Sequence, residues 1–274
     1  MIVPASPPSP LTEGERWARQ QLELLLSARF APSAVAGFLV ASQRRANEVR
    51  RVRPELASQS RVWMGAGAAL WAALAAAGVR PFRERARSGL AWWAATAVML
   101  DWHLGMVETA DGRPRPLTAA DALTLARVWL APVALEAPSP LVCAAGFATD
   151  VLDGPLARAT EPTRAGRDLE GLADACFATA LLVGLRRRGA IGRAASAAEL
   201  ARLGAGLAYS VAIYFGRAEP PDRSLTRAAR LTTPVRAGGL LAAGAGGPRL
   251  GTALVGVGCG WSVVLAAAAL RGRP

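Results

Sequence analysis

The sequence predicts an all-α fold, a polytopic membrane helix bundle, and three observations predict it. The chain is apolar and basic at once: 52% of its 274 residues are hydrophobic, mean hydropathy is +0.26, and 32 basic against 20 acidic side chains give a formal charge of +12. Apolar runs of helical length recur, uncharged from Val62 to Val79 and from Leu250 to Leu270, where a bilayer core needs roughly 20 such residues. Period-2 alternation is absent, which argues against a β-barrel.

The same figures exclude other classes. A disordered polycation is far more polar than this chain. A nucleic-acid-binding domain concentrates its charge on a soluble surface, and no basic-aromatic motif is present. Three Cys do not make a disulfide scaffold. Every basic residue is Arg, beside abundant Ala and Gly, a composition expected of a GC-rich, bacterial genome.

Along the chain, MIVPASPPSP holds four Pro and no charged stretch ahead of an apolar core, so a secretory signal peptide is not expected. Residues 1–61 read as a basic helical segment outside the bilayer. Arg44, Arg45, Arg50, Arg51, Arg53 and Arg61 either meet anionic headgroups or form a solvated face. Residues 62–107 read as an extra transmembrane helix pair, 62–79 and 88–107, with Trp92, Trp93 and Trp102 as interfacial anchors. The polar stretch ETADGRPRP marks a boundary. Residues 108–274 read as a six-helix domain with cores near 118–135, 138–157, 170–185, 199–216, 229–247 and 250–270.

Charge inside membrane helices costs ~2.5–3.5 kcal/mol per residue on insertion scales and so needs a reason. Residues 149–177 concentrate it: Asp150, Asp153, Asp168, Glu170 and Asp174 lie between apolar flanks. Asp150 and Asp153 are i,i+3, and Glu170 and Asp174 are i,i+4, so each pair shares a helix face. Gly154, Pro155, Pro162 and Gly166 let the chain turn between them. Packed as a hairpin, the two pairs converge, and their repulsion calls for cations. All-oxygen ligands suit Mg²⁺ or Mn²⁺, which bind with substrate phosphates. Arg158, Arg164 and Arg167 could hold phosphate oxygens. Asp168 turns about 200° from Glu170 and is not expected in the set.

The stretch resembles the signature of the CDP-alcohol phosphatidyltransferase family, D-x2-D-G-x2-A-R-x7/8-G-x3-D-x3-D. It reads Asp150-x2-Asp153-Gly154-x2-Ala157-Arg158-x7-Gly166-x3-Glu170-x3-Asp174, with Glu170 the single departure. Upstream, Asp121, Thr124 and Arg127 are similar to the family's N-x2-T-x2-R, with Asp in the Asn position; a plain helix start with a snorkelling Arg is the alternative. The resemblance covers about 110–274. It implies displacement of CMP from a CDP-alcohol lipid donor, CDP-diacylglycerol in first place, by a small polar alcohol at a site facing the cytoplasm. It implies two divalent cations on Asp150, Asp153, Glu170 and Asp174, with Asp174 also the candidate general base. It puts Thr124, Arg127, Gly154, Ala157 and Arg158 at the cytidine diphosphate part. Phosphatidylglycerophosphate synthase-like and phosphatidylinositol phosphate synthase-like activities lead, and a catalytically weakened scaffold is the alternative.

A second cationic zone, Arg217, Arg223, Arg227, Arg230 and Arg236, suits a phosphorylated acceptor or is ordinary loop charge, with Arg236, inside a helix, the best candidate. Gly256-x3-Gly260 fits close packing or a homodimer. His103 and the three Cys read as packing residues. The positive-inside rule is met by several basic segments, but the Arg80–Arg87 and Arg186–Arg193 stretches fall on the other side. Either a run is miscounted or those Arg bind external anionic headgroups.

Overall fold

The computed structural model describes residues 12–109, 111–159, 163–216 and 223–271. Helices follow the sequence's stop signals. Thr12 starts α1 (Glu13–Ser27) with a capping box: its amide donates to Glu15, whose own amide donates to the Thr12 hydroxyl. Arg29 and Phe30 take left-handed backbone angles, φ 51° and 56°, and turn the chain. Then come α2 (Pro32–Val52) and α3 (Pro54–Ala76), each with Pro in its first turn. A short α4 (Arg80–Glu84) leads into α5 (Ala86–His103).

The connection through 104–118 leads to α6 (Ala119–Glu136), α7 (Pro140–Ala159) and α8 (Arg164–Arg187). The chain continues as α9 (Arg193–Gly216), α10 (Arg223–Gly244) and α11 (Pro248–Arg271). Each of the six cores expected after residue 108 is a helix, and no strand occurs among the described residues. Residues 62–76 are the later part of one helix that begins at Pro54 and crosses position 61, and 77–79 form the turn after it. Among the described residues, α11 is the helix long and apolar enough to cross a membrane by composition, with a window hydropathy of 2.0.

The α6–α11 helices share one apolar core, from Ala134 and Cys143 through Phe177, Leu181 and Leu185 to Leu240 and Val255. Its closeness depends on missing side chains. A Cβ on Gly184 would stand 2.5 Å from the Ala134 carbonyl oxygen, so α8 crosses α6 backbone against backbone. Gly239 and Gly251 play the same part between α10 and α11. Gly256 and Gly260 face open space instead, so that spacing is unused inside the chain.

A second core joins α3 and α5 to α6 through Met64, Trp93, Leu100, Leu117 and Leu125. Here the expected interfacial role of Trp93 is overturned, while Trp92 keeps an exposed face. Trp93 is buried and donates to the Met64 carbonyl at 2.7 Å; Trp92 donates to Val128 at 2.9 Å. Gly67 lies under Trp93, and Gly89 under Trp71, so each helix offers a notch to the other's indole. Trp102, at the helix end, donates to Gln43.

One end of the molecule is stitched by polar contacts. Arg53 donates to the Val107 and Arg115 carbonyls at 2.9 and 2.5 Å, and Gln59 bonds both the amide and the carbonyl of Leu117. The Arg164 amide donates to the Glu108 carbonyl, and its guanidinium pairs with Glu15 of α1. This corrects the expectation that Arg164 serves phosphate: it is buried and committed to the N-terminal helices. At the opposite end Arg85 pairs with Glu136, Arg188 donates to the Glu136 and Pro138 carbonyls, and the Gly192 amide donates to Thr252.

Gly184→Ala is expected to lower stability by about 1–3 kcal/mol, because a carbonyl-walled contact cannot open without moving a helix. Gly204→Ala, facing open space in α9, should leave the midpoint unchanged or raise it slightly. Thermal unfolding of the detergent-purified chain compares the two.

Candidate active site

The carboxylates come from α7 and α8, as their spacing predicts. Asp150, Asp153 and Glu170 each bring an oxygen within 4.8 Å of the others. Asp153 is buried at 3% exposure, while Asp150 and Glu170 are half-buried. The added methylene of Glu170 therefore does not keep its carboxylate out of the group. Asp174 lies one turn further along α8 and faces the same space through a different partner.

That partner is Arg127 of α6. Its side chain is 1% exposed and reaches into the group from the third helix. The guanidinium pairs with Asp153 and Asp174 and lies 3.5 Å from Asp150, and its Nε donates to the Thr149 hydroxyl at 3.3 Å. A snorkelling Arg would extend toward headgroups, whereas this one is enclosed by carboxylates. Four carboxylates and one guanidinium leave a formal −3, so the site is short of positive charge. Arg230 of α10 acts electrostatically on Asp150 and Glu170 from its exposed position.

The start of α8 is fixed by helix caps. Thr163 caps α8 by accepting from the Gly166 amide at 2.9 Å. Asp121, in the first turn of α6, accepts from the Thr118 amide and hydroxyl at 2.7 and 2.9 Å, and from the Thr163 hydroxyl at 3.4 Å. A Cβ on Gly166 would stand 2.7 Å from Asp121 Oδ1, so glycine lets the starts of α6 and α8 touch. Asp121 is thus a cap shared between two helices. Thr124 is buried one turn before Arg127 and donates to the Ala120 carbonyl of its own helix.

Gly154, Ala157 and Arg158 continue α7 beyond Asp153, with Gly154 i,i+4 to Asp150 and Ala157 i,i+4 to Asp153. Their side chains, and those of Arg167, Asp168 and Arg223, lie outside the described residues, as does all of Arg217. Arg227 is exposed. Arg236 is elsewhere. It is buried between α10 and α11, donates to Ser262 and Thr233 at 3.0 Å each, and lies 3.7 Å from Glu199. Glu199 also holds Arg202, through bonds of 2.7 and 2.6 Å, and accepts from the Cys259 thiol. Sequence reasoning missed Glu199, although it is the one acid in α9. It missed Thr149 too, which only the tertiary contact with Arg127 singles out.

The carboxylate group fits a divalent cation. Its donors are all oxygen, it carries excess negative charge, and the buried Asp153 Oδ1 accepts no hydrogen bond among the described residues.

A family model described as CDP-alcohol phosphatidyltransferase matches residues 117–266. The match holds Arg127, all four carboxylates, Gly166 and the helices that carry them. The chain belongs to the CDP-alcohol phosphatidyltransferase family. No curated protein and no solved structure matches the chain. As a family member it is a phosphotransferase, and the family activity is transfer of a phosphatidyl group from a CDP-alcohol. Residues 12–116 lie outside the matched span and brace its first and third helices through Gln59 and Glu15.

Asp153→Asn should weaken Mn²⁺ binding by about ten- to hundredfold, while Arg227→Gln should leave it unchanged. Calorimetric titration of the purified chain without substrate measures both.

Proposed function

We propose that this phosphotransferase takes CDP-diacylglycerol as donor and a small polar alcohol as acceptor, releasing CMP, within a multi-pass membrane bundle. The carrying observation is the meeting of Asp150, Asp153 and Glu170 at motif spacing inside a family-matched helix bundle. We place the carboxylate end on the cytoplasmic side of a bacterial membrane, where CDP-alcohols and small phosphates are met.

Asp150, Asp153, Glu170 and Asp174 would hold two Mg²⁺ or Mn²⁺ ions, which when bound supply charge stabilisation at the attacking and leaving oxygens. In the transfer, the acceptor hydroxyl oxygen forms a bond to the β-phosphorus, the bond from that phosphorus to the bridging oxygen breaks, and CMP leaves with the electron pair. Asp174 takes the hydroxyl proton, held in place by its pairing with Arg127. Thr124, Arg127, Gly154, Ala157 and Arg158 orient the cytidine diphosphate part.

For a phosphorylated acceptor, Arg230 is the better cation, since its guanidinium acts on the carboxylate site and is exposed. Arg236 is occupied by Glu199, Ser262 and Thr233. Phosphatidylglycerophosphate synthase-like and phosphatidylinositol phosphate synthase-like reactions remain the leading acceptor classes. The position of Glu170 favours turnover over a weakened scaffold, because its carboxylate stands with those of the two aspartates. Gly256 and Gly260, open on α11, are consistent with a homodimer.

Purified protein with CDP-diacylglycerol, Mg²⁺ and a panel of alcohols should release CMP, and chelation should stop it. Asp174→Asn is expected to reduce turnover at least a thousandfold, and Glu170→Asp to keep or raise it. No CMP release with any acceptor defeats the enzyme reading. A large loss on Glu170→Asp would show a site rebuilt around the longer side chain.

A further inference from the structure

The end of the bundle opposite the carboxylates carries an unusual charge. Arg80, Arg83, Arg85 and Arg87 lie between α3 and the start of α5. The run 186–188 with Arg193 joins α8 to α9, and Arg249 begins α11. These nine arginines face two acids, Glu84 and Glu136. They share one end because Arg85 and Arg188 both reach the end of α6, and the start of α9 is bonded to the start of α11.

Within this end an open groove of about 340 Å³ runs between α8 and α9. Val183 and Leu200 form its aliphatic walls over the fully buried Leu182, Ser196 lies along it, and Arg186 and Arg187 stand at its rim. Arg186 makes no ion pair among the described residues. Arg187 is 62% exposed, with its nearest carboxylate oxygen, on Glu136, at 4.0 Å. Along α8 the rim is twelve residues from Asp174, about 18 Å at helical rise. The groove is therefore remote from the reacting centre, with its own cations.

We infer that this groove binds an anionic phospholipid, its phosphate between Arg186 and Arg187 and an acyl chain along Val183 and Leu200. The inference rests on the reading of the bundle as membrane-spanning, which puts these arginines at a headgroup layer. Charge complementarity selects the occupant: basic pockets between transmembrane helices take anionic headgroups, and the aliphatic walls exclude a free anion as the whole ligand. It also gives a reason for basic residues on the side where the positive-inside rule does not ask for them. The headgroups add anions where nine arginines meet only two acids.

The test is titration of the full detergent-purified chain with phosphatidylglycerol, with bound lipid counted by native mass spectrometry. Phosphatidylcholine and inorganic phosphate are the comparisons. Phosphatidylglycerol should bind well ahead of both, and the double substitution Arg186→Gln, Arg187→Gln should weaken it about thirtyfold, near fivefold for each arginine. Leu200→Trp keeps both cations and fills the groove, and should weaken binding at least tenfold; it answers if the double variant does not fold. Three results would overturn the inference: undiminished binding in a folded double variant, phosphate competing as well as the lipid, or displacement by CDP-diacylglycerol with Mg²⁺, which would place the lipid in the donor site. If CMP release fails while the arginine dependence holds, the activity reading falls and this one stands.

Discussion

Four carboxylates held in an apolar bundle around one buried guanidinium are the constraint on which the rest of the structure depends. Each charge would be costly alone, and removing one partner of such a group leaves the other uncompensated. Arg127 answers part of the repulsion, and that fixes the three helices that must meet: α6 to deliver the guanidinium, α7 and α8 to deliver the acids. Their meeting requires close crossing. Gly184 lets α8 lie on the α6 backbone, Gly146 makes room for Phe177, and Gly166 admits Asp121 beside Thr163. Glycine at these positions follows from the distance the charges impose.

The same logic recurs among α9, α10 and α11, where Glu199 lies between Arg202 and Arg236 and Ser262 takes a further guanidinium proton. An arginine that looks free in the sequence is paired in the fold. This separates Arg236 from Arg230, six residues earlier, which stays exposed and acts on the carboxylates. It also explains why α11, which bears no charge between Arg249 and Arg271, has the composition of a membrane helix. Helices α6 to α10 carry the charged groups, and those groups lower their hydropathy.

The residues before the family-matched span form a brace. Arg53 and Gln59 hold the strand-like connection that enters α6, Glu15 holds the start of α8 through Arg164, and three indoles tie α3, α5 and α6 together. The Trp93 indole, buried and spent on an internal carbonyl, cannot serve as an interfacial anchor, so it reads differently in three dimensions than in sequence.

The sequence by itself determined the helix class, the six helical cores after residue 108, and the pairing of acids by i,i+3 and i,i+4 spacing. All of these are local, because helix period and apolar run length act along the chain. The Gly166 position was legible as part of a motif, though its physical cause was not. Only the tertiary structure decided which arginine enters the carboxylates, which ones are spent on Glu15 and Glu199, and which line the far groove. An arginine side chain is long and finds its acid across helices, by distances that no spacing along one helix encodes.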